Sequence, residues 1–437
     1  MLKYLLCLRY LLKVRLVVIS VLAVALSCGL LVSISSVFSG FIEAVEKGAS
    51  DSMGDAVIRP HPSLQISDFK TLTGRIEDIE GVKAASGLLN AQGLVLIGRG
   101  QVKKTQIWGI DIESQDEVTG IRNDFISSEG RFSGDSAALS IGLLTSPDPV
   151  TDKYDFEEAK SWTGKNALVL TGRQGSGDAA NFQRSDLRVK IDAVSFSGIN
   201  QFDSSSVYLP IETLSRELYP DKNSPLADTI QIRFNQGLSD RRQRELLSKV
   251  QTVWSDFARN ELGWPASWVG YSSIALSRDM QKRLVAEYHK QMDVLMAVFS
   301  IVSGGVVLLI FCIFYMIVMG RRKDIAILRS FGQSRAGVAG VYLLFGVFVA
   351  IAGTALGILF GWLFTENINT IENLISRLTG VKIWKSSVYM FTKIPNSLDI
   401  GSAVRISFYA LAASLAGALL PAVSAARTDP VKTLRYE

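Results

Sequence analysis

Four stretches of the chain are apolar and carry no Asp, Glu, Lys or Arg: residues 16–38, 294–319, 336–364 and 406–426. Each is long enough for the roughly 20 helical residues that cross a hydrocarbon layer about 30 Å thick, so four transmembrane helices are predicted. Residues 39–293 read differently. "AVIRP", "GLVLIG", "KTQIWGID", "ALVLTG", "LRVKIDAVSF", "SSVYLP" and "DTIQIRF" are short, β-branched and partly alternating, as strands should be. Between them, "SDFKTLTGRIEDIEG", "PIETLSRELYP" and "LSDRRQRELLSKVQTVWSDFARN" repeat apolar positions at helical spacing, with cap-like starts at Ser67 and Ser239. "SPDPVTDKYD" and "GRQGSGDAANFQRSD" read as exposed loops. A helix from Ser277 through Lys290 leads toward the second span as a stalk. The predicted fold class is an integral membrane protein: four transmembrane α-helices with a large α+β extracytoplasmic domain between the first and second.

Lysine and arginine near the span ends set the orientation. Lys3, Arg9, Lys13 and Arg15 precede the first span, and Arg321, Arg322, Lys323, Arg329 and Arg335 crowd the connection from second to third. Both sides are therefore assigned to the cytoplasm. The resulting order is a cytoplasmic N-terminus (1–15), the first span (16–38), a periplasmic domain with its stalk (39–293), the second span (294–319) and a cytoplasmic connection (320–335). The third span (336–364), a periplasmic loop (365–405), the fourth span (406–426) and a cytoplasmic C-terminus (427–437) follow. The loop carries Arg377, Lys382, Lys385, Lys393 and Arg405, but these are spread out and mixed with Glu366, Glu372 and Asp399. A cleaved signal peptide usually has an apolar core of about 7–15 residues, shorter than the first span here.

Composition adds little beyond this. The chain has 437 residues, 48% of them hydrophobic, and its net charge of +5 is explained by the cytoplasmic span ends, leaving no case for nucleic acid. Cys7, Cys28 and Cys312 all fall in or beside spans, so no disulfide framework supports the outer domain.

The chemistry of an enzyme is missing. A phosphate cradle needs GxxxxGK[ST], and "SWTGKN" lacks both the first glycine and the hydroxyl after the lysine. His61 and His289 lie far apart and lack metal-ligand spacing. Glu157 with Glu158, and Asp111 with Glu113, read as solvated faces rather than acid/base pairs. No metal site is predicted.

Between the second and third spans stands "GRRKDIAILRSFG". Ile325, Leu328 and Phe331 recur at every third position, Ile327 sits beside them, and Gly332 is placed to end the helix. By pattern alone this suits a charged interfacial anchor equally well. It resembles, however, the cytoplasmic coupling helix of ABC-transporter permeases of the MacB/FtsX/Lol superfamily, with a motif near R-x-x-E-I-A-x-L-R-x-x-G. Arg321, Asp324, Ile325, Ala326, Leu328, Arg329 and Gly332 fit it, with Asp324 where the family usually has Glu. The ending "PAVSAARTDPVKTLRYE" is similar to that family's P-A-x-x-A-A-x-x-x-P-x-x-x-L-R-Y-E. "SGINQFDSSSVYLP", "LRYLLKVR", "VFSGF" and "VYMFTKIP" resemble passages of the LolC/LolE lipoprotein-releasing permeases in particular.

The resemblance implies a non-catalytic permease subunit of the inner membrane. Arg321, Arg322, Asp324, Ile325, Ala326, Leu328, Arg329 and Gly332 would couple it to a separate cytoplasmic ATPase dimer. ATP and Mg would be bound there, and no cofactor on this chain. Further implied partners are a second permease copy or homologue, membrane lipid, lipoprotein cargo and a periplasmic lipoprotein carrier. The nearest candidate for a carrier loop holds Arg173, Gln174 and Phe182, though it has no clear motif match. Phe38 and Phe41 are candidates for the cargo cleft, or equally interfacial anchors. Gly353, Gly357 and Gly361 form a GxxxGxxxG stripe suited to close helix packing. Gly304 and Gly305 suggest a packing point or a joint. The alternative readings are an FtsX-like transmitter of motion to a periplasmic hydrolase and a MacB-like exporter of peptides or amphiphiles.

Overall fold

The structure is a computed structural model that describes residues 15–427 other than 99, 129–131, 133, 150, 175–181 and 390. The chain divides into two units: Met1–Glu43 with Ala286–Ile371 and Ile394–Glu437, and Ala44–Val285 with Glu372–Lys393.

The first unit is built on four long helices, Arg15–Met53, Lys282–Gly320, Arg335–Glu366 and Ile400–Ala426, each apolar and long enough to cross a membrane. The first runs past the apolar stretch because nothing in "SGFIEAVEKGASDSM" breaks a helix before Gly54. Gly54 takes φ +73°, and a Cβ there would lie 2.6 Å from the Ile232 carbonyl oxygen, so glycine is required at this exit. The predicted stalk is interrupted: a short turn, Ser277–Met280, is separated by Gln281 from the helix that begins at Lys282. Many large apolar side chains on these helices are exposed, among them Leu26, Ile301 and Phe408. In a membrane such positions face lipid or a partner helix at no hydrophobic cost.

The second unit is α+β. Its strands are β1 Ala56–Arg59, β2 Ile66–Ser67, β3 Val82–Ile97, β4 Gln101–Ile110, β5 Phe125–Ser128 and β6 Ser136–Ser140. They continue with β7 Asn166–Gln174, β8 Phe182–Ser195, β9 Ser206–Pro210, β10 Leu226–Ala227, β11 Thr229–Phe234 and β12 Ser273–Leu276. The main sheet runs β12-β1-β11-β3-β4-β9-β6-β8-β5. Strand β7 pairs with both β3 and β8, so the ladder β3-β4-β9-β6-β8-β7 returns to β3 as a closed ring. The long β3 permits this, since Val82–Leu88 pairs with β11 while Gly93–Leu96 pairs with β7.

The helices α1 Phe69–Glu77, α2 Ile112–Thr119, α3 Ile211–Leu218 and α4 Asp240–Asn260 cover the sheet. On α4 the buried Leu246, Val250, Trp254 and Phe257 recur every three or four residues, the stripe that one helix face presents to a core. They share that core with Phe69, Leu72 and Ile76 of α1 and with Ile58, Leu89 and Ile232 of the sheet.

Ser239 caps α4 as predicted, its side chain accepting from the Arg242 N–H. Ser67 does not cap α1. It is paired with Leu226 in the small β2–β10 sheet, and the helix starts one residue later from Asp68, whose carboxylate accepts from the Thr71 hydroxyl at 2.8 Å.

The segment between the third and fourth long helices is more than a loop. It forms a helix, Ile368–Thr379, and a turn, Ser386–Tyr389, and its central part, Glu372–Lys393, packs with the α+β unit. Lys382 Nζ donates to the Thr151 carbonyl at 2.8 Å, and the Ser386 N–H to Asp152 Oδ2 at 2.7 Å.

Candidate functional site

The second long helix stops at Gly320. A nine-residue helix, Arg322–Ser330, follows, and the next helix begins at Arg335. Sequence explains the second of these breaks. Phe331 ends the short helix, and Gly332, at φ +88°, takes the left-handed conformation that most side chains resist. The Ser334 hydroxyl accepts from the Gly337 N–H at 3.0 Å and starts the third long helix. Asp324 lies in the first turn of the short helix and Arg329 in the last, each complementing the local end of the helix dipole. Arg321 Nη1 meets Asp324 Oδ2 at 3.2 Å, a half-exposed pair whose contribution is at most about 1 kcal/mol.

The structure sorts the predicted coupling residues into two groups. Ile325 and Ala326 are buried, and Ile325 packs against Val318, Val338 and Ala425 from the ends of the second, third and fourth long helices. They anchor the short helix and offer no outward contact. Arg322, Ile327 and Phe331 are exposed, Phe331 by 87%, and Gly332 lies beside them on the surface. The apolar side chains of the segment therefore do not form one membrane-facing stripe: they divide between the protein and the outside. Leu328 lies in the same helix.

Gly353, Gly357 and Gly361 of the third long helix lie against the first. A Cβ at these positions would fall 2.6 Å from Val24 Cβ, 2.7 Å from Cys28 Cβ and 3.0 Å from the Gly29 carbonyl oxygen. The contact is mutual, since a Cβ at Gly29 would sit 3.1 Å from the Gly357 carbonyl oxygen. Ser33 Oγ donates to the Gly29 carbonyl at 2.8 Å and reaches that of Gly361 at 3.5 Å. Three further close approaches on the long helices have no four-residue repeat like that of the stripe: Gly40 against Asn396, Gly346 against Ala418, and Gly417 against the Val307 carbonyl. Gly304 and Gly305, by contrast, have nothing within 4 Å of a would-be Cβ and pack against nothing described in this chain.

Phe38 is half-buried, and Phe41 stacks edge-on against Tyr288 with ring centroids 4.7 Å apart. Among the candidate carrier residues, Arg173 and Gln174 belong to β7 and Phe182 to β8, where the backbone pairs Arg173 with Gln183 and Gln174 with Phe182. The ladder thus extends into the stretch read as a loop, because β7 and β8 are held together along Asn166–Gln174. Residues 175–181 of that candidate lie outside the described residues, as do "LRYLLKV" and the end of the C-terminal motif from residue 428.

Two of the motifs read separately come together in the α+β unit. Ile199 of "SGINQFD" bridges to Phe391 of "VYMFTKIP", and the Thr392 N–H donates to the Gly198 carbonyl at 3.3 Å. The aspartate of the first motif, Asp203, accepts from both the N–H (2.7 Å) and the hydroxyl (2.9 Å) of Ser197, which closes the turn. Burial pushes its carboxyl up to about 6 despite these bonds.

His61 Nδ1 hydrogen-bonds with the Ser63 hydroxyl at 2.7 Å on the surface. Among the described residues, no group of three or more His, Cys, Asp or Glu is placed to hold a metal.

The FtsX-like permease C-terminal family matches residues 295–430, which include the short helix Arg322–Ser330, the third and fourth long helices and the second from residue 295 onward. The lipoprotein-releasing system transmembrane protein LolC of Neisseria meningitidis serogroup B is 24% identical over 430 residues, covering 96% of this chain and 94% of that protein. The corresponding LolE of Haemophilus influenzae is 23% identical over 423 residues, covering 95% and 93%. A Xylella fastidiosa LolC is 33% identical over 167 residues, and this alignment spans only 38% of the chain and 37% of that relative's length. The chain thus has four helices long and apolar enough to cross a membrane, carries an FtsX-like permease C-terminal region over residues 295–430, and is similar along nearly its whole length to LolC and LolE.

Proposed function

We propose that this chain is the permease subunit of an ABC transporter that uses a separate ATPase to extract lipoproteins from the outer leaflet of the inner membrane. It would pass them to a periplasmic carrier. The observation that carries the reading is similarity to lipoprotein-releasing LolC over 94% of that protein's length, spans and α+β domain together. In this reading the α+β unit lies in the periplasm and both ends of the chain in the cytoplasm.

The short helix Arg322–Ser330 is the proposed lever. Exposed Ile327 and Phe331 would enter a groove of the ATPase dimer, with Arg322 and Arg329 supplying charge at its rim and Gly332 the turn that presents Phe331. ATP and Mg would act there, on the partner. Closure of the dimer would push the helix, and Ile325 and Ala326, packed inward, would pass that push to the ends of three long helices. The third helix, locked to the first through Gly353, Gly357 and Gly361, would carry the first with it. A second permease would pack on the second long helix, which is the least buried of the four within this chain.

Extraction must offset about 0.8 kcal/mol for each lipid methylene withdrawn from the bilayer, which is why an ATP-driven apolar cleft is needed. Phe38 and Phe41 are proposed for its wall, and the β7–β8 hairpin for carrier contact.

The FtsX-like match covers the motor end alone. A transmitter that activates a periplasmic hydrolase, or an exporter of peptides or amphiphiles, would share it. Photo-crosslinking in native membranes from Phe331 and from the β7–β8 hairpin, with mass spectrometry of the adducts, separates the three. An ATPase at Phe331 with a lipoprotein carrier at the hairpin is expected. A hydrolase or an adaptor at the hairpin would keep the motor and replace the cargo, and no ATPase at Phe331 would end the transporter reading.

A further inference from the structure

We infer that the α+β unit contains a separate binding site, a cavity of about 840 Å³ that takes a cationic amphiphile: an ammonium group carried on an apolar body. The cavity shares no residue with the coupling segment, so the inference stands apart from the transport reading. Its volume falls within the roughly 300–1,000 Å³ of small-molecule sites.

Three observations point to this ligand class. The first is charge. Among the described lining residues Asp51, Asp124 and Asp228 are acidic and Arg59 is the cation; no lysine or histidine joins them. The Arg59 charge acts on Asp228, which leaves Asp51 and Asp124 to set the sign of the cavity. An anionic headgroup would enter against that field, while a cation is drawn in.

The second is a buried acceptor that lacks its donor. Gln115 lines the cavity and is only 3% exposed. Its Nε2 donates to Gln231 Oε1 at 2.7 Å, but its Oε1 has no hydrogen-bond partner among the described residues. Buried acceptors are normally satisfied, and a ligand N–H is the group that would complete this one.

The third is the apolar lining. Trp108 and Phe202, with ring centroids 6.2 Å apart, line the cavity together with Tyr208, Ile110 and Leu88. Aromatic faces stabilise an ammonium group and also accept the hydrocarbon attached to it. In support, the Asp124 carboxyl is pushed up to about 6 by burial and by the Asp203 and Asp51 carboxylates, the electrostatic deficit that a bound cation would relieve.

The test uses the full chain in lipid nanodiscs and a fluorescent probe, dansylcadaverine, which joins a primary ammonium to a naphthyl body. Its N-acetylated form, the same body without the charge, is the control, and the signal from empty nanodiscs is subtracted. Saturable binding is expected, about tenfold tighter for the ammonium probe than for the acetylated one. Two exposed lining positions supply variants that leave the fold intact, checked by an unchanged melting temperature. Asn123→Trp fills the cavity and should abolish binding, and Asp51→Asn should weaken the ammonium probe severalfold while leaving the acetylated one unchanged. No saturable signal above empty nanodiscs, equal affinity for both probes, or full binding by Asn123→Trp would overturn the assignment.

Discussion

At Gly357 a Cβ would lie 2.7 Å from Cys28 Cβ and 2.8 Å from the Ala25 carbonyl oxygen, so any side chain must push two helices apart. Gly357→Val is therefore expected to destabilise the full chain by about 1–3 kcal/mol, read as a lower melting temperature in nanodiscs. Gly304→Ala, in open space, should be neutral or slightly stabilising, and equal effects at the two sites would contradict the packing account. Asp203 gives a second test. Its ordinary value of 3.8 is raised to about 6 in the folded chain, so between those values the folded state holds the proton more firmly than the unfolded one. Its contribution to stability is thus greatest at low pH and falls by roughly 2 kcal/mol as pH rises from about 4 to about 6. Asp203→Asn should flatten that part of the melting curve against pH, while a curve identical to that of the parent would show that the buried carboxyl is not responsible. The glycine stripe was legible in the sequence because a four-residue repeat is a local pattern. Its counterparts Gly29 and Ser33 were not, since nothing local says which helix will meet them.

Helices and strands announced themselves where a period was long enough to read, as on α4, whose apolar stripe and Ser239 cap are both present in the structure. Pairing across distance was hidden. The closure of the strand ring through β7 and the capture of Glu372–Lys393 by the α+β unit depend on contacts between residues far apart in the chain. Ser67 was misread as a cap because a serine before a helical pattern looks the same whether or not its backbone is already committed to a strand. The segment 322–332 shows the same limit. Its helix and its ending at Gly332 follow from local pattern, but which apolar residues turn inward is decided by Val318, Val338 and Ala425. That division is directly testable. Ile325→Asp buries a carboxylate beside apolar side chains and should cost several kcal/mol, lowering the melting temperature and the amount of folded protein. Ile327→Asp and Phe331→Asp change exposed positions and should leave the melting temperature within about 0.5 kcal/mol of the parent while abolishing co-purification of an ATPase. Retained co-purification in both would remove this helix from the docking site.

The molecule as a whole has a unit of four helices long and apolar enough to cross a membrane and an α+β unit, and it is similar over nearly its whole length to lipoprotein-releasing system transmembrane proteins. The central proposal is that ATP hydrolysis on a partner moves a lipoprotein out of the membrane through this chain. Its most direct measurement is a release assay. The permease, its co-purified ATPase and an acylated lipoprotein are placed together in proteoliposomes, with a soluble lipoprotein carrier outside, and lipoprotein in the carrier fraction is followed with and without ATP. The account predicts ATP-dependent transfer that Phe331→Asp eliminates. ATP hydrolysis stimulated by the permease, with no lipoprotein reaching the carrier, would contradict it.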